Sequence, residues 1–420
     1  MKMNRIISLI SAILLTHSTF AAEFRTDRTW YLAGEAMTVN VTTQDALIAY
    51  AELCDTHRLA AGVVIGLKEN KGTGTIELPA DLHSGYYQLS VYTRGNANVT
   101  QRLVAIVNPL RKSVDDDIEW VKVNNGQLTM DNGKLQEGAA DNYPLSINHY
   151  QLTDEVRETE GHIIRARVSN VGKFKADQIT PSLSIIGKQI HYFEGKMVND
   201  TTAVFYTYGV YGRQPLVLSA VSVTGESLPI EMMSPFATLL PKQLPHLVFH
   251  YNRSEVEARS LDMQRHQRAI VGGSNVPLDY DETAYGTKPD LSYNLDEYRQ
   301  FLSIKEVLLE YVNCVKNTKI NGRAQLIVRS PEAYFNSTLP TLVLIDGMPV
   351  INTERLLNYD ARRIHYVNIY GGQYIFGSGV YNGILSFVTR SGRLTNYPVE
   401  PNMQYLDYDF PSHSRSSRMR

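Results

Sequence analysis

The chain has 420 residues, with 41 Lys and Arg against 43 Asp and Glu and a formal net charge of −2. That balance excludes a strongly basic nucleic-acid binder and an acidic disordered chain, while 43% apolar residues suffice for folded cores. The length implies several domains, and 26 Tyr against 12 Phe and 2 Trp suit β-sheet surfaces better than helical bundles.

Lys2 and Arg5 precede an apolar run from Ile6 to Leu15, and Thr19-Phe20-Ala21 places small residues before Ala22. This is the pattern of a secretory signal peptide over 1–21, so the mature chain is expected to start near Ala22 and to be exported. No later run approaches about 18 uninterrupted apolar residues, so no transmembrane helix is expected in the mature chain. Export leaves open whether Cys54 and Cys314, the only cysteines, pair. Neither has a basic neighbour in sequence that would activate a thiol.

Residues 22–108 read as a β-sandwich. Strand candidates are Ala36–Thr42, Leu47–Leu53, Gly62–Leu67, Gly74–Leu78, Tyr86–Tyr92 and Gln101–Val107, with turn residues at Gly34-Glu35, Lys68–Gly72 and Asp81–Gly85. Asp27-Arg28, Tyr31, Gly34-Glu35 and the run Ser84-Gly85-Tyr86-Tyr87-Gln88-Leu89 form a motif that resembles the MG2 domain of α2-macroglobulin-like proteins. The resemblance covers about 85 residues and implies structural roles for Asp27, Arg28, Tyr31, Gly34, Glu35, Gly85 and Tyr87. Gly34 and Gly85 are expected where tight turns need a residue tolerant of positive φ.

Residues 109–142 read as a connector, with Asp115-Asp116-Asp117 as a solvated turn and Asn124-Asn125-Gly126 and Asp131-Asn132-Gly133 as hairpin turns. The acidic triplet lacks the spacing of an EF-hand. Residues 143–245 read as a second sandwich, with strands at Ile163–Val168, Leu183–Ile186, Ala203–Tyr206 and Leu216–Val223. Residues 246–289 have little periodicity and read as a linker.

Residues 290–395 change character. Ile304, Val307, Leu308, Tyr311, Val312 and Val315 fall on one face of a three-turn helix, and strands are expected at Ala324–Val328, Thr341–Ile345, Ile364–Tyr370 and Gly383–Thr389. A second, short helix fits Thr353–Tyr359. The result is a small α+β unit. Within it, Asp346-Gly347 with Pro349, then Gly377 and Gly379, then Asn382-Gly383 leading to Thr389, occur in an order that resembles the plug domain of TonB-dependent outer-membrane receptors. The sequence departs from that pattern at Phe376-Gly377 and at Tyr370-Gly371-Gly372. The resemblance implies structural or interaction roles for these residues. A receptor plug is followed by a long β-barrel, and the 396–420 stretch, rich in Pro and Tyr, reads instead as a tail that threads a partner groove or is disordered.

No zinc pattern, nucleophile elbow or internal-thioester motif is present in the sequence. His246 and His250 stand four apart in an expected strand or loop, and Glu297, Glu306 and Glu310 are expected as solvated helix carboxylates. The fold expectation is a mainly β multidomain chain: two macroglobulin/Ig-like sandwiches followed by a small α+β plug-like domain. The functional expectation is a non-enzymatic exported envelope protein with no catalytic residues, metal or cofactor. It would dock its plug-like domain on a protein partner in the outer membrane or periplasm, in the manner of longer Bacteroidota proteins of similar architecture. The alternative is a non-covalent, macroglobulin-like protease inhibitor with residues 255–289 as a cleavable segment.

Overall fold

The computed structural model describes residues 22–44, 46–96, 98–122, 156–187, 190–271, 281, 283–320, 323–329, 339–394 and 396–411. The signal-peptide reading, the two Asn-Gly turns of the connector and the last residues of the tail lie outside these. No helix among the described residues is long and apolar enough to cross a membrane.

The first sandwich holds β1 (Glu23–Thr26), β2 (Trp30–Leu32), β3 (Ala36–Thr42), β4 (Ile48–Cys54), β5 (Leu59–Gly66), β6 (Lys71–Glu77), β7 (Gly85–Tyr92) and β8 (Thr100–Val107). Strand order β1-β3-β6 forms one sheet and β2-β8-β7-β4-β5 the other. In β3 the alternation is visible: Met37, Val39 and Val41 enter the core while Asn40 and Thr42 face water. β4 is buried along its whole length. Its inward residues Ala49, Ala51 and Leu53 join the sandwich core, and its outward residues Ile48 and Tyr50 are covered by Phe236 and Leu239 from a distant segment.

β9 (Ile118–Lys122) pairs in parallel with β17 (Leu247–Tyr251), and α1 (Arg253–Val271) follows directly. The linker expected over 246–289 therefore fails across 247–271. Its signal was short and weak: α1 is polar on most faces and buries Val256, Ser260 and Met263 among its described side chains. Trp30, Trp120 and Phe249 pack edge to face where this pair meets the first sandwich.

The second sandwich comprises β10 (His162–Val168), β11 (Ile179–Ile185), β12 (His191–Glu194), β13 (Lys196–Met197), β14 (Thr202–Thr207), β15 (Gly212–Ser222), β16 (Ile230–Met232) and, from the far end of the chain, β25 (Gln404–Phe410). The sheets run β13-β14-β10-β16 and β12-β11-β15-β25. The tail expectation is thus corrected. Residues 404–410 alternate in burial, with Tyr408 and Phe410 in the sandwich core, and pair antiparallel with β15.

The third unit contains β18 (Leu291–Asn294), α2 (Ile304–Glu310), β19 (Val315–Ile320), β20 (Arg323–Val328), β21 (Leu342–Ile345), β22 (Met348–Pro349), α3 (Thr353–Leu357), β23 (Ile364–Phe376) and β24 (Gly379–Thr389). The sheet order is β18-β23-β24-β21-β22, with β21 parallel to β24 and the other pairs antiparallel. α2 starts at a capping box between Ser303 and Glu306 and ends a turn earlier than its apolar stripe implies. Val315 opens β19 instead, and the stripe residues other than the half-buried Tyr311 remain buried by a change of element rather than by a longer helix. Ile186 and Val217 of the second sandwich belong to the same core as α2, α3 and the sheet, so the third unit is seated on that sandwich.

Candidate functional site

The motif of the first sandwich is a set of tied turns. The Tyr31 hydroxyl donates to Asp27 at 2.6 Å and accepts from the Arg28 backbone N–H at 3.0 Å, and Asp27 also accepts from the Thr38 N–H at 2.9 Å. Burial is the largest cause that drives the Tyr31 pKa far above its ordinary value. Glu35 accepts from the Leu32 N–H at 2.8 Å, bonds Arg28 at 3.4 Å, and takes a two-pronged contact from Arg259 of α1 at 2.5 and 3.0 Å. The Arg259 guanidinium also lies 3.7 Å from the Trp30 ring centroid. Gly34 (φ +90°) occupies the turn into β3, and Gly85, the first residue of β7, also has a positive φ (+157°) that L side chains rarely adopt. Tyr87 is buried, donates to the His83 carbonyl at 3.1 Å, and has its pKa pushed by burial up to about 12.

The motif residues of the third unit meet the second sandwich. Asp346 and Gly347 (φ +49° and +91°) form the two-residue turn between β21 and β22, which the twist of a tight hairpin demands. The Asp346 carboxylate is buried and accepts from the Thr389 N–H (2.7 Å), the Thr389 hydroxyl (2.6 Å) and the Leu394 N–H (2.9 Å). Burial raises its pKa. The Asp346 carbonyl accepts from the Gly187 N–H, and a Cβ at Gly347 would come within 2.5 Å of Ile190. At the other end, Gly377 (φ +60°) turns β23 into β24, with Gly379 opening the return strand. The Ser378 N–H donates to Glu194 at 2.7 Å, and Phe376 stacks on Tyr192 at 4.3 Å. Asn382 bonds the Pro340 carbonyl through its N–H, Gly383 lies opposite Tyr370 beside a bulge, and Pro349 pairs with Leu344. Asp346, Gly347, Gly377 and Thr389 are thus placed at or directly behind a contact with the chain's own second sandwich.

The remaining surface of that unit carries exposed apolar groups. Leu302, just before the α2 N-cap, is 68% exposed, Leu309 on α2 is 73% exposed, and Leu291 of β18 is also exposed. Tyr293, Tyr298, Phe301 and Tyr311, on the same stretches of chain, form a continuous ring cluster, with centroids 4.6–6.3 Å apart. On the β23–β24 ribbon, Ile375 and Val380 face each other across the strands and are exposed. The cleft under the ring cluster has room for about 10 Å³. A wider, open groove of about 630 Å³ lies between α3 and residues 396–398, lined by Arg355, Tyr359, Asp360 and Arg363.

Sequence reasoning missed a buried polar junction between the sandwiches. Glu158 accepts from the Tyr50 hydroxyl (2.6 Å), Arg94 Nη1 (3.2 Å), His162 Nδ1 (3.0 Å) and the Ile163 N–H (2.6 Å). Arg94 also donates to the carbonyls of Ile163 and Pro235, and His162 Nε2 accepts from the Tyr408 hydroxyl at 2.6 Å. Burial pushes the Glu158 carboxyl up, but the His162 bond and the nearby Arg94 charge outweigh it and its pKa is lowered. Burial lowers the His162 pKa. Beside them the fully buried Glu52 accepts from the Thr238 and Leu239 N–H groups and from Tyr92, and burial raises its pKa. A charged residue inside an apolar strand, such as Glu52 in Ala-Tyr-Ala-Glu-Leu, is the signal that was present.

Other candidates resolve simply. His246 Nδ1 lies 2.5 Å from Asp117, Asp116 accepts from the Ser84 and Ser113 N–H groups, and among the described residues no group of three His, Cys, Asp or Glu is placed to hold a metal. Glu306 caps α2, Glu297 lies in the turn before it, and Cys54 and Cys314 are unpaired.

No protein-family model matches the chain, and no curated protein does. Among solved structures, the BSP domain of a biofilm-associated protein is 10% identical with a TM-score of 0.17, over 53% of this chain and 30% of its own. Alpha-2-macroglobulin of Escherichia coli, activated by porcine elastase, is 8% identical with a TM-score of 0.19, over 50% of this chain and 20% of its own. Fibronectin(III)-like modules of Clostridium thermocellum CbhA are 7% identical with a TM-score of 0.15, over 50% of this chain and 91% of their own. This chain spans less than a third of the first two, and TM-scores this low establish no shared fold.

Proposed function

We propose that this chain is a non-enzymatic, exported interaction protein of the Gram-negative envelope, whose plug-like third unit docks on a protein partner in the outer membrane or periplasm. The observation that carries this reading is the set of exposed apolar groups of the third unit, Leu302, Leu309 and Leu291, on the stretches of chain that also carry a cluster of four aromatic rings. Large apolar groups gathered on one side of a folded unit mark a docking surface more often than a chance exposure. The signal-peptide pattern of residues 1–21 and the ordered plug-like motifs support the address and the type of unit. The motif turns themselves contact the second sandwich, so the partner surface lies on the α2 and β18 side. The inhibitor reading loses its cleavable segment over 253–271, because α1 is helical there and Arg259 pins it to Glu35 and Trp30.

Crosslinking in whole cells, followed by capture of the full chain, tests the reading. A defined envelope protein should be recovered with wild type and lost with the double substitution Leu302→Ser and Leu309→Ser, which leaves the buried stripe Ile304, Val307 and Leu308 untouched. Equal recovery with the substituted chain would remove the surface from consideration.

A further inference from the structure

The sandwich junction holds charge that a simple spacer does not need. The side chains of Glu158, His162 and Arg94 are 1%, 2% and 4% exposed. They join segments far apart in sequence: Tyr50 on β4, Arg94 after β7, Glu158 and His162 at the start of β10, and Tyr408 on the final strand. We propose that this cluster is an acid-sensitive latch, in which protonation of His162 loosens together the contact between the sandwiches and the seat of the C-terminal strand.

The geometry suits a neutral imidazole, which burial also favours. Nδ1–H donates to Glu158, so Nε2 is the acceptor for the Tyr408 hydroxyl. An imidazolium has no acceptor, so Nε2–H donates to the Tyr408 oxygen instead and the buried Tyr408 O–H proton is left without its acceptor. The new cation also faces the Arg94 guanidinium, which shares the same Glu158 oxygen. The ionisable groups meeting the ring are therefore Glu158 from its own segment, Tyr50 from β4, Arg94 from the end of β7 and Tyr408 from β25. Tyr92 and Glu52 form the next layer, through the Tyr50–Tyr92 stack at 5.5 Å and the Tyr92–Glu52 bond.

The sign follows from linkage. Burial holds His162 below its ordinary 6.5 in the closed state, so below that pH the open state takes up a proton that the closed state does not. Opening is then favoured by up to about tenfold per pH unit for one proton. Glu158, whose pKa is lowered, acts in the same direction, but only below its ordinary 4.5. Glu52, whose pKa is raised by burial, opposes both: its contribution to closure is present below 4.5 and lost as pH rises through its folded value. A comparison that removes only the histidine separates these.

Hydrogen exchange by mass spectrometry on the full chain, from pH 7.5 to 5 and corrected for intrinsic exchange, reads the peptides covering 235–240 and 404–410. In the His162→Gln variant the amide still donates to Glu158 and accepts from Tyr408 but does not titrate. Relative to that variant, wild-type opening should rise as pH falls below 6.5, by up to about tenfold per pH unit, at both peptides. Parallel profiles for the two proteins, or a response confined to one peptide, overturn the latch. If His162→Gln does not fold, Tyr408→Phe decides. The 235–240 peptide should keep its pH response and the 404–410 peptide should lose it, and a 404–410 response that persists overturns the coupling.

Discussion

At the scale of single residues, buried charge in this chain is tied down by partners from elsewhere in the sequence. Arg94 supplies three charge-assisted bonds to the sandwich junction, including one to Glu158. Arg94→Ala strands a buried carboxylate, and urea denaturation should show a loss of about 3–5 kcal/mol. Arg259 plays a comparable part for α1, through Glu35 and Trp30. Arg259→Ala should cost about 3 kcal/mol and raise exchange rates along α1 while leaving those of β15 unchanged. The Asp-Arg and Gly-Glu pairs of the first motif were legible in the sequence. Their reason was not, because the partner of Glu35 lies more than two hundred residues further on.

At the scale of elements, alternation located the core strands with small errors at their ends. β3 coincides with its expected span, and β7 and β8 extend it by one residue. Elements that bury few residues went unseen, among them β9, β12, β18 and α1, since a short or polar segment carries little periodic signal. β25 was obscured by flanking prolines, although its Leu406, Tyr408 and Phe410 alternate as a strand should. Phe410→Ala should destabilise the second sandwich by about 3–5 kcal/mol, read as faster proteolysis within 160–232. Gly347 combines positive φ with a close approach to Ile190. Gly347→Ala should cost more than about 1 kcal/mol, and Ile190→Ala in the same chain should recover part of it.

At the scale of the molecule, the described units meet through packed and hydrogen-bonded contacts. The third unit shares its core with Ile186 and Val217, and the chain returns through β25 to close the second sandwich. The first sandwich is joined through Glu52, Arg94 and Phe236. Both tryptophans, Trp30 and Trp120, report on the first sandwich and its aromatic neighbours. In wild type, tryptophan fluorescence and far-ultraviolet circular dichroism should therefore change in one coincident unfolding transition. Arg94→Ala should split them, because the fluorescent unit then loses its charged tie to the rest.

The kinds of unit were legible in the residues alone: alternating strands for two sandwiches, and a 3.6-residue stripe with Gly-marked turns for the α+β unit. These follow from local periodicity and backbone preference, which act within a few residues. Long-range packing alone seats the last strand in the second sandwich, presses the motif turns of the third unit on it, and gathers five buried ionisable groups from four segments at one junction. Such contacts depend on the surfaces two folded units present to each other, and residues more than a hundred positions apart carry no local trace of meeting.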